Sequence, residues 1–231
     1  MIQVVEDCLQ FRGRVVHHYA LMESDQITLI DGGFLTSTPE RLARQLESIG
    51  RNISEIKTVL VTHDHIDHTL HLSSWQELTG AKIYAPALDQ NHVSGTYPYT
   101  GLSRIFGWME AAARTTFRYR ASLVDCWFSP GEILPIWGGL EVIPLPGHTL
   151  GHVGFYSQPR KLLFAGDLFA NFHYLPKPPP SWFNVNSKEL IRSIQRATEL
   201  NTSGGILLNH CHGGSPLSHR SDLFRLARRL G

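Results

Sequence analysis

From Thr62 to His68 the chain reads Thr-His-Asp-His-Ile-Asp-His, directly after the strand-like segment Thr58-Val59-Leu60-Val61. Three imidazoles and two carboxylates so close together are costly to hold unless a cation neutralises the carboxylates and takes the imidazole lone pairs. Metal binding is the chemistry these residues point to. Three more candidate ligands end apolar runs in the same manner. His148 follows Leu145-Pro146-Gly147, Asp167 follows Phe164-Ala165-Gly166, and His210 follows Ile206-Leu207-Leu208-Asn209. Four strands delivering ligands at their ends would bring them to one sheet edge.

The elements that must position these residues alternate. An amphipathic opening to about Glu6, then Arg14 to Met22, then Ile27 to Ile30 running into Asp31-Gly32-Gly33, read as strands. Thr38 is an N-cap with Pro39 at the first helical position, Leu42, Leu46 and Ile49 share a face, and Gly50 supplies the stop. The histidine cluster is followed by a helical pattern through Leu72, Trp75 and Leu78 that ends at Gly80, then by a short strand from Lys82 to Ala85. In the second half, strands are expected at 140–145, 153–156, 161–165 and 206–208. Helices are expected from a cap near Ser187 to Leu200 and from Asp222 to Leu230, with a proline-rich loop from Leu175 to Ser181.

Residues from about 91 to 127 break this rhythm. Tyr97, Tyr99, Phe106, Trp108, Met109, Phe117 and Tyr119 make the segment rich in aromatic and other large apolar side chains, and 102–113 has a helical pattern. It reads as a helical insertion that walls or covers a site. With no linker-like stretch, residues 1–231 read as one domain carrying that insertion.

Composition bounds the function. Of 231 residues, 42% are hydrophobic and 18% charged, which suits a folded globular chain and argues against disorder. A formal net charge of +1 gives no general attraction to nucleic acid or anionic membranes. The three cysteines, Cys8, Cys126 and Cys211, are widely spaced with no CxxC pair, which speaks against a disulfide framework. Together with a start at Met1 that lacks the pattern of a secretory signal, this leads to the expectation of a cytoplasmic protein.

His63-x-His65-x-Asp67-His68, Pro-Gly-His148, Gly-Asp167 and a strand-end His210, in that order, resemble the motifs of the metallo-β-lactamase superfamily of hydrolases. The resemblance spans most of the chain and lies nearest the glyoxalase II-like branch. It implies an α/β fold, an αββα sandwich of two mixed β-sheets face to face with helices outside. It also implies two divalent metal ions, Zn²⁺ ahead of Fe or Mn, with His63, His65 and His148 on one and Asp67, His68 and His210 on the other. Asp167 would bridge them, and Asp67 would serve the reaction as well. In such a site, ions about 3.5–4 Å apart share a water whose pKa falls toward neutrality, and the hydroxide attacks an electrophilic carbonyl.

The expected function is hydrolysis of a small thioester, lactone or related ester or amide. The alternatives of the same fold are a mononuclear iron dioxygenase of the persulfide type and a phosphodiesterase. The partner expected is a small-molecule substrate, with no nucleic acid or membrane; association into a homo-oligomer is left open. A strict hydroxyacylglutathione hydrolase is disfavoured, because only about twenty residues follow His210. His212, in His212-Gly213-Gly214, is the alternative to His210 as last ligand. Asp31 and Asp64 read as structural partners of the histidine loop, and His152 as an outer partner. His17, His18, His71 and His219 read as structural or exposed, while His92, His173 and Tyr174 could face substrate.

Overall fold

The computed structural model describes residues 1–90, 99–172 and 175–231. His92, Tyr97, His173 and Tyr174 lie outside the described residues. The chain forms two compact units, residues 1–97 with 110–128 and residues 98–109 with 129–231.

The first unit is built on a seven-stranded sheet in chain order: β1 Ile2–Val5, β2 Cys8–Arg12, β3 His17–Met22, β4 Ile27–Ile30, β5 Ile56–Leu60, β6 Lys82–Pro86 and β7 Cys126–Phe128. Pairing is antiparallel from β1 to β4 and parallel from β4 to β7. Parallel neighbours need a crossover, and helices supply it. Helix α1, Pro39–Glu47, lies between β4 and β5, with Thr38 accepting from Arg41 N and Pro39 in the first turn. Helices α2, Ile66–Thr69, and α3, Leu72–Thr79, lie between β5 and β6, and Gly80 closes α3 at φ 69°. Leu42 and Leu46 of α1 and Trp75 of α3 bury with Leu29, Val59 and Ile83 of the sheet and with Val61 just beyond β5. Ile49 and Leu78 are exposed, because α1 ends at Glu47 and Leu78 lies off the buried face of α3.

The aromatic-rich segment contains helix α4, Ser103–Thr116, three residues longer at its C-terminus than the expected one. Its last residues do not belong to an insertion, since β7 pairs in register with β6 as Tyr84↔Cys126 and Ala85↔Trp127. Phe106 is buried, with Tyr99 and Phe183 edge-on at 5.8 and 4.9 Å, whereas Trp108 is 67% exposed.

The second unit carries a five-stranded sheet of order β14-β11-β10-β9-β8. Its strands are β8 Ile133–Leu134, β9 Leu140–Pro144, β10 Val153–Ser157, β11 Leu162–Phe164 and β14 Gly205–Leu207. β11 and β14 are parallel and the other pairs antiparallel. Helices α5, Ser187–Ala197, and α6, Pro216–Leu230, bring Leu190, Ile194, Leu223 and Leu226 onto Leu145, Leu163 and Ile206. α6 starts six residues before the expected Asp222, at Pro216 behind the capping hydroxyl of Ser215, so His219 lies inside the helix rather than ahead of it. The start of the expected proline-rich loop is instead the second strand of a ribbon, β12 Ala170–Phe172 with β13 Leu175–Lys177.

Candidate metal centre

In the first unit the ligand-type residues are set by the end of β5 and the single turn of α2. Asp31 N donates to Leu60 O at 2.8 Å as β4 ends, which aligns the ends of the two parallel strands. Asp31 holds φ 66°, a left-handed conformation that an aspartate adopts at a cost. Its carboxylate explains why: it accepts from Thr62 N at 2.8 Å and from Thr62 Oγ1 at 3.0 Å, and lies 3.0 Å from His68 Nδ1. Asp31 is thus the buried partner of the histidine loop that the sequence suggested.

These contacts settle where the imidazole protons sit. A carboxylate oxygen accepts, so the neutral tautomer of His68 that fits carries its proton on Nδ1 and presents the Nε2 lone pair. The single hydroxyl proton of Thr62 is directed at Asp31, so the Thr62 oxygen accepts from His63 Nδ1, 3.0 Å away. His63 then also presents Nε2. One carboxylate therefore fixes the tautomer of two histidines whose rings stand 4.1 Å apart. His65 completes the group, buried with its ring 4.8 Å from that of His63. Asp67 Oδ2 lies 3.7 Å from His68 Nε2, with a side chain 23% exposed that water can reach.

Asp64 departs from expectation. It is fully buried, yet among the described residues neither of its carboxyl oxygens has a hydrogen-bond partner, so it is not a hydrogen-bonding brace. Burial, reinforced by the Asp89 carboxyl, pushes the Asp64 carboxyl well above the usual carboxylate range.

In the second unit His148, Asp167 and His210 follow β9, β11 and β14. Pro146-Gly147 makes a turn only glycine permits: Gly147 has φ 126°, and a Cβ there would stand 2.2 Å from Leu190 N. Asn184 Oδ1 lies 2.9 Å from His148 Nδ1, and the Asn184 amide nitrogen donates to Pro179 O at 3.0 Å. That second bond fixes which end of the amide faces the ring, so His148 carries its proton on Nδ1 and presents Nε2. His152 accepts from Asp167 N at 2.9 Å through Nε2 and donates from Nδ1 to Leu145 O at 2.8 Å. It ties the Asp167 loop to the end of β9, the outer role expected of it.

Asp167 Oδ2 lies 3.4 Å from His148 Nε2 and 3.2 Å from His210 Nε2. A carboxylate oxygen facing an imidazole lone pair is a contact between two acceptors, which needs a cation or a second proton between them. His212 is exposed, its ring 4.8 Å from that of Phe172, with its backbone N donating to Asn171 O. In each unit, then, nitrogen and carboxylate donors lie where they could hold a metal ion: His63 with His65 and Asp67 with His68 in the first, Asp167 with His210 in the second.

A profile described as Metallo-beta-lactamase superfamily matches residues 12–203. The chain belongs to that superfamily. The hydroxyacylglutathione hydrolase GloC of Haemophilus influenzae is 32% identical over 132 residues, 56% of this chain and 56% of that protein. The probable metallo-hydrolase YybB of Bacillus subtilis is 27% identical over 186 residues, 77% of this chain and 73% of that protein. The chain thus matches little more than half the length of GloC. Among solved structures, the metallo-beta-lactamase family protein TTHA1429 from Thermus thermophilus has a TM-score of 0.76 at 19% identity, covering 98% of this chain and 80% of that one. BJP-1, a subclass B3 metallo-beta-lactamase of Bradyrhizobium japonicum, has a TM-score of 0.69 at 17% identity, covering 99% and 90%. The fold is that of the metallo-β-lactamase superfamily, two mixed β-sheets flanked by helices, as the motif resemblance implied. Among the described residues no helix is long and apolar enough to cross a membrane.

Sequence reasoning missed Asn184 and Glu110. Asn184 sits in Phe183-Asn184-Val185 with no motif around it, and nothing local marks it out. Glu110, on α4, accepts from Ile66 N inside the histidine loop at 3.1 Å, and no spacing rule joins residues 44 apart.

Proposed function

We propose that this chain is a binuclear metal-dependent hydrolase, with zinc favoured, acting on a small thioester, lactone or related ester or amide. In this reading His63, His65 and His148 hold one ion, Asp67, His68 and His210 the other, and Asp167 bridges, the assignment the family motifs imply. The observation that carries the reading is the fixing of tautomers: Asp31, Thr62 and Asn184 each tie down an Nδ1 proton, leaving the Nε2 lone pairs of His63, His68 and His148 for a cation. The Asp167 oxygen held 3.4 Å from His148 Nε2 likewise suits a cation set between the two.

When bound, such ions would lower the pKa of a coordinated water and polarise a carbonyl oxygen. The chain's own residues supply the rest. Asp67, partly open to water, accepts a proton and orients the attacking oxygen. His152 and Asn184 hold Asp167 and His148 in place, so that little rearrangement is needed during reaction. Similarity to GloC, whose name describes hydrolysis of an acylated glutathione, supports a thioester as the first substrate to try.

The test is metal analysis of purified protein followed by a panel of thioester, lactone, β-lactam and phosphodiester substrates. Two ions per chain with thioester or lactone turnover is expected, and Asp67→Asn should lose most of that turnover while the fold survives. One iron with persulfide-dependent oxygen uptake, or phosphodiester turnover alone, would overturn the assignment.

A further inference from the structure

Helix α2 carries Asp67 and His68, and it starts without a cap of its own. Its N-cap residue is His65, whose side chain makes no capping bond. The first N–H groups of a helix have no acceptor within it and need one from elsewhere. Glu110 supplies it from α4: its Oε1 accepts the N–H of Ile66, the first residue of α2, at 3.1 Å. The Glu110 carboxylate is only 4% exposed and is paired with Arg114 Nη2 at 3.2 Å. Arg114 lies 4.2 Å over the Tyr119 ring and reaches the backbone carbonyl of Asp64 at 3.5 Å. Glu110 and Arg114, one turn apart on α4, thereby grip the loop on both sides of His65, at the carbonyl before it and the N–H after it.

A buried ion pair is a poor means of gaining stability, since well-packed apolar residues serve as well or better. A carboxylate here does what an apolar side chain cannot: it holds one N–H at a fixed point, with a charge sign that suits the start of a helix. We propose that Glu110 is a positioning residue for the metal centre, setting the first turn of α2, and through it Asp67 and His68, in the geometry a metal ion requires. Arg114, 3.2 Å from the same carboxylate oxygen, keeps it aimed. The proposal rests on reading the histidine loop as a metal site, and it adds a residue that no motif contains.

The test is zinc affinity of the full chain by competition with a chromophoric chelator, well below the unfolding temperature. Glu110→Ala should bind zinc about 10–100-fold more weakly, the range found when outer partners of metal ligands are removed. Glu110→Gln keeps an oxygen that accepts from Ile66 N, and should return to within about threefold of the parent. Leu42→Ala, a cavity in the same unit's core, should lower the melting temperature and leave affinity unchanged. Wild-type affinity in Glu110→Ala, or an equal loss in Leu42→Ala, would overturn the positioning role. If Glu110→Ala does not fold, Glu110→Asp carries the test: it keeps the charge, falls one methylene short of Ile66, and should lose about fivefold or more in affinity. Unchanged affinity there would overturn the proposal. Wild-type protein that takes up no metal would instead overturn the metal reading itself, and this inference with it.

Discussion

The Nδ1 atom of His148 lies 2.9 Å from Oδ1 of Asn184, and Asn184 is in turn held by Pro179 O at 3.0 Å and by the Ser187 hydroxyl at 3.2 Å. Asn184 thus connects a histidine at the end of β9 to the start of α5, and it does so with the one amide orientation that leaves His148 Nε2 as a lone-pair donor. Asn184→Ala should weaken metal binding about 10–100-fold. Asn184→Asp, which keeps the acceptor but loses the amide's two donated bonds, should fall between that variant and the parent. Chelator competition would check both, and parent-like affinity in the alanine variant would remove Asn184 from the site.

Gly147 is fixed by geometry rather than by chemistry. Its φ of 126° is closed to side-chain-bearing residues, and the first two atoms a Cβ would meet belong to the Leu190 backbone in α5. Gly147→Ala must move either the turn or the helix, and should destabilise the fold by roughly 3 kcal/mol or more. A urea midpoint within about 1 kcal/mol of the parent would show that the turn yields more easily than this geometry allows.

What could be read in the sequence was whatever is local. Ligand-type residues just after strands, Thr38-Pro39 at a helix start and Gly80 at a helix stop each announce themselves within a few residues, and the structure has the three features in place. Asp31 was legible too, because a carboxylate at a strand end beside two glycines has few other uses. Ser215-Pro216 was an equally good start signal for α6, but the apolar pattern beyond it is diluted by exposed Leu217 and by buried His219 and Asp222. Trp108 and Phe106, alike as aromatics, ended in opposite environments, since burial depends on which face of α4 packs. Glu110 and Asn184 act on atoms 44 and 36 residues away, and only the folded chain brings them there.

His18 should govern part of the acid stability. Burial first, then the nearby His71, His17, Arg41 and His68, lower its pKa from 6.5 to about 3, and neither of its ring nitrogens has a hydrogen-bond partner among the described residues. The unfolded chain takes up a proton at His18 near pH 6.5 and the folded chain does not until about pH 3. The stability that depends on this neutral imidazole is therefore complete above about pH 6.5 and is lost progressively as pH falls toward 3. The full difference is on the order of 4 kcal/mol. His18→Leu should flatten the fall in stability between pH 6.5 and 3, measured by urea unfolding at each pH; an unchanged slope would assign the acid limb to other groups.

In the proposed binuclear site, the last ligand is one of two histidines two residues apart. His210 follows β14, its backbone carbonyl accepts from Asn171 N at 2.9 Å, and its Nε2 lies 3.2 Å from Asp167 Oδ2. His212 is exposed and set against Phe172, just before Gly213 and Gly214, both at positive φ. A side chain delivered from a strand end costs less to order around a metal than one that leads into a glycine turn. His210→Ala should therefore retain one ion of two and lose most activity, about 10²-fold or more, while His212→Ala should keep both ions. Metal content after dialysis against a weak chelator reads the difference directly. Loss of an ion from the His212 variant, with the His210 variant intact, would move the ligand assignment to His212 and leave His210 as a neighbour of Asp167.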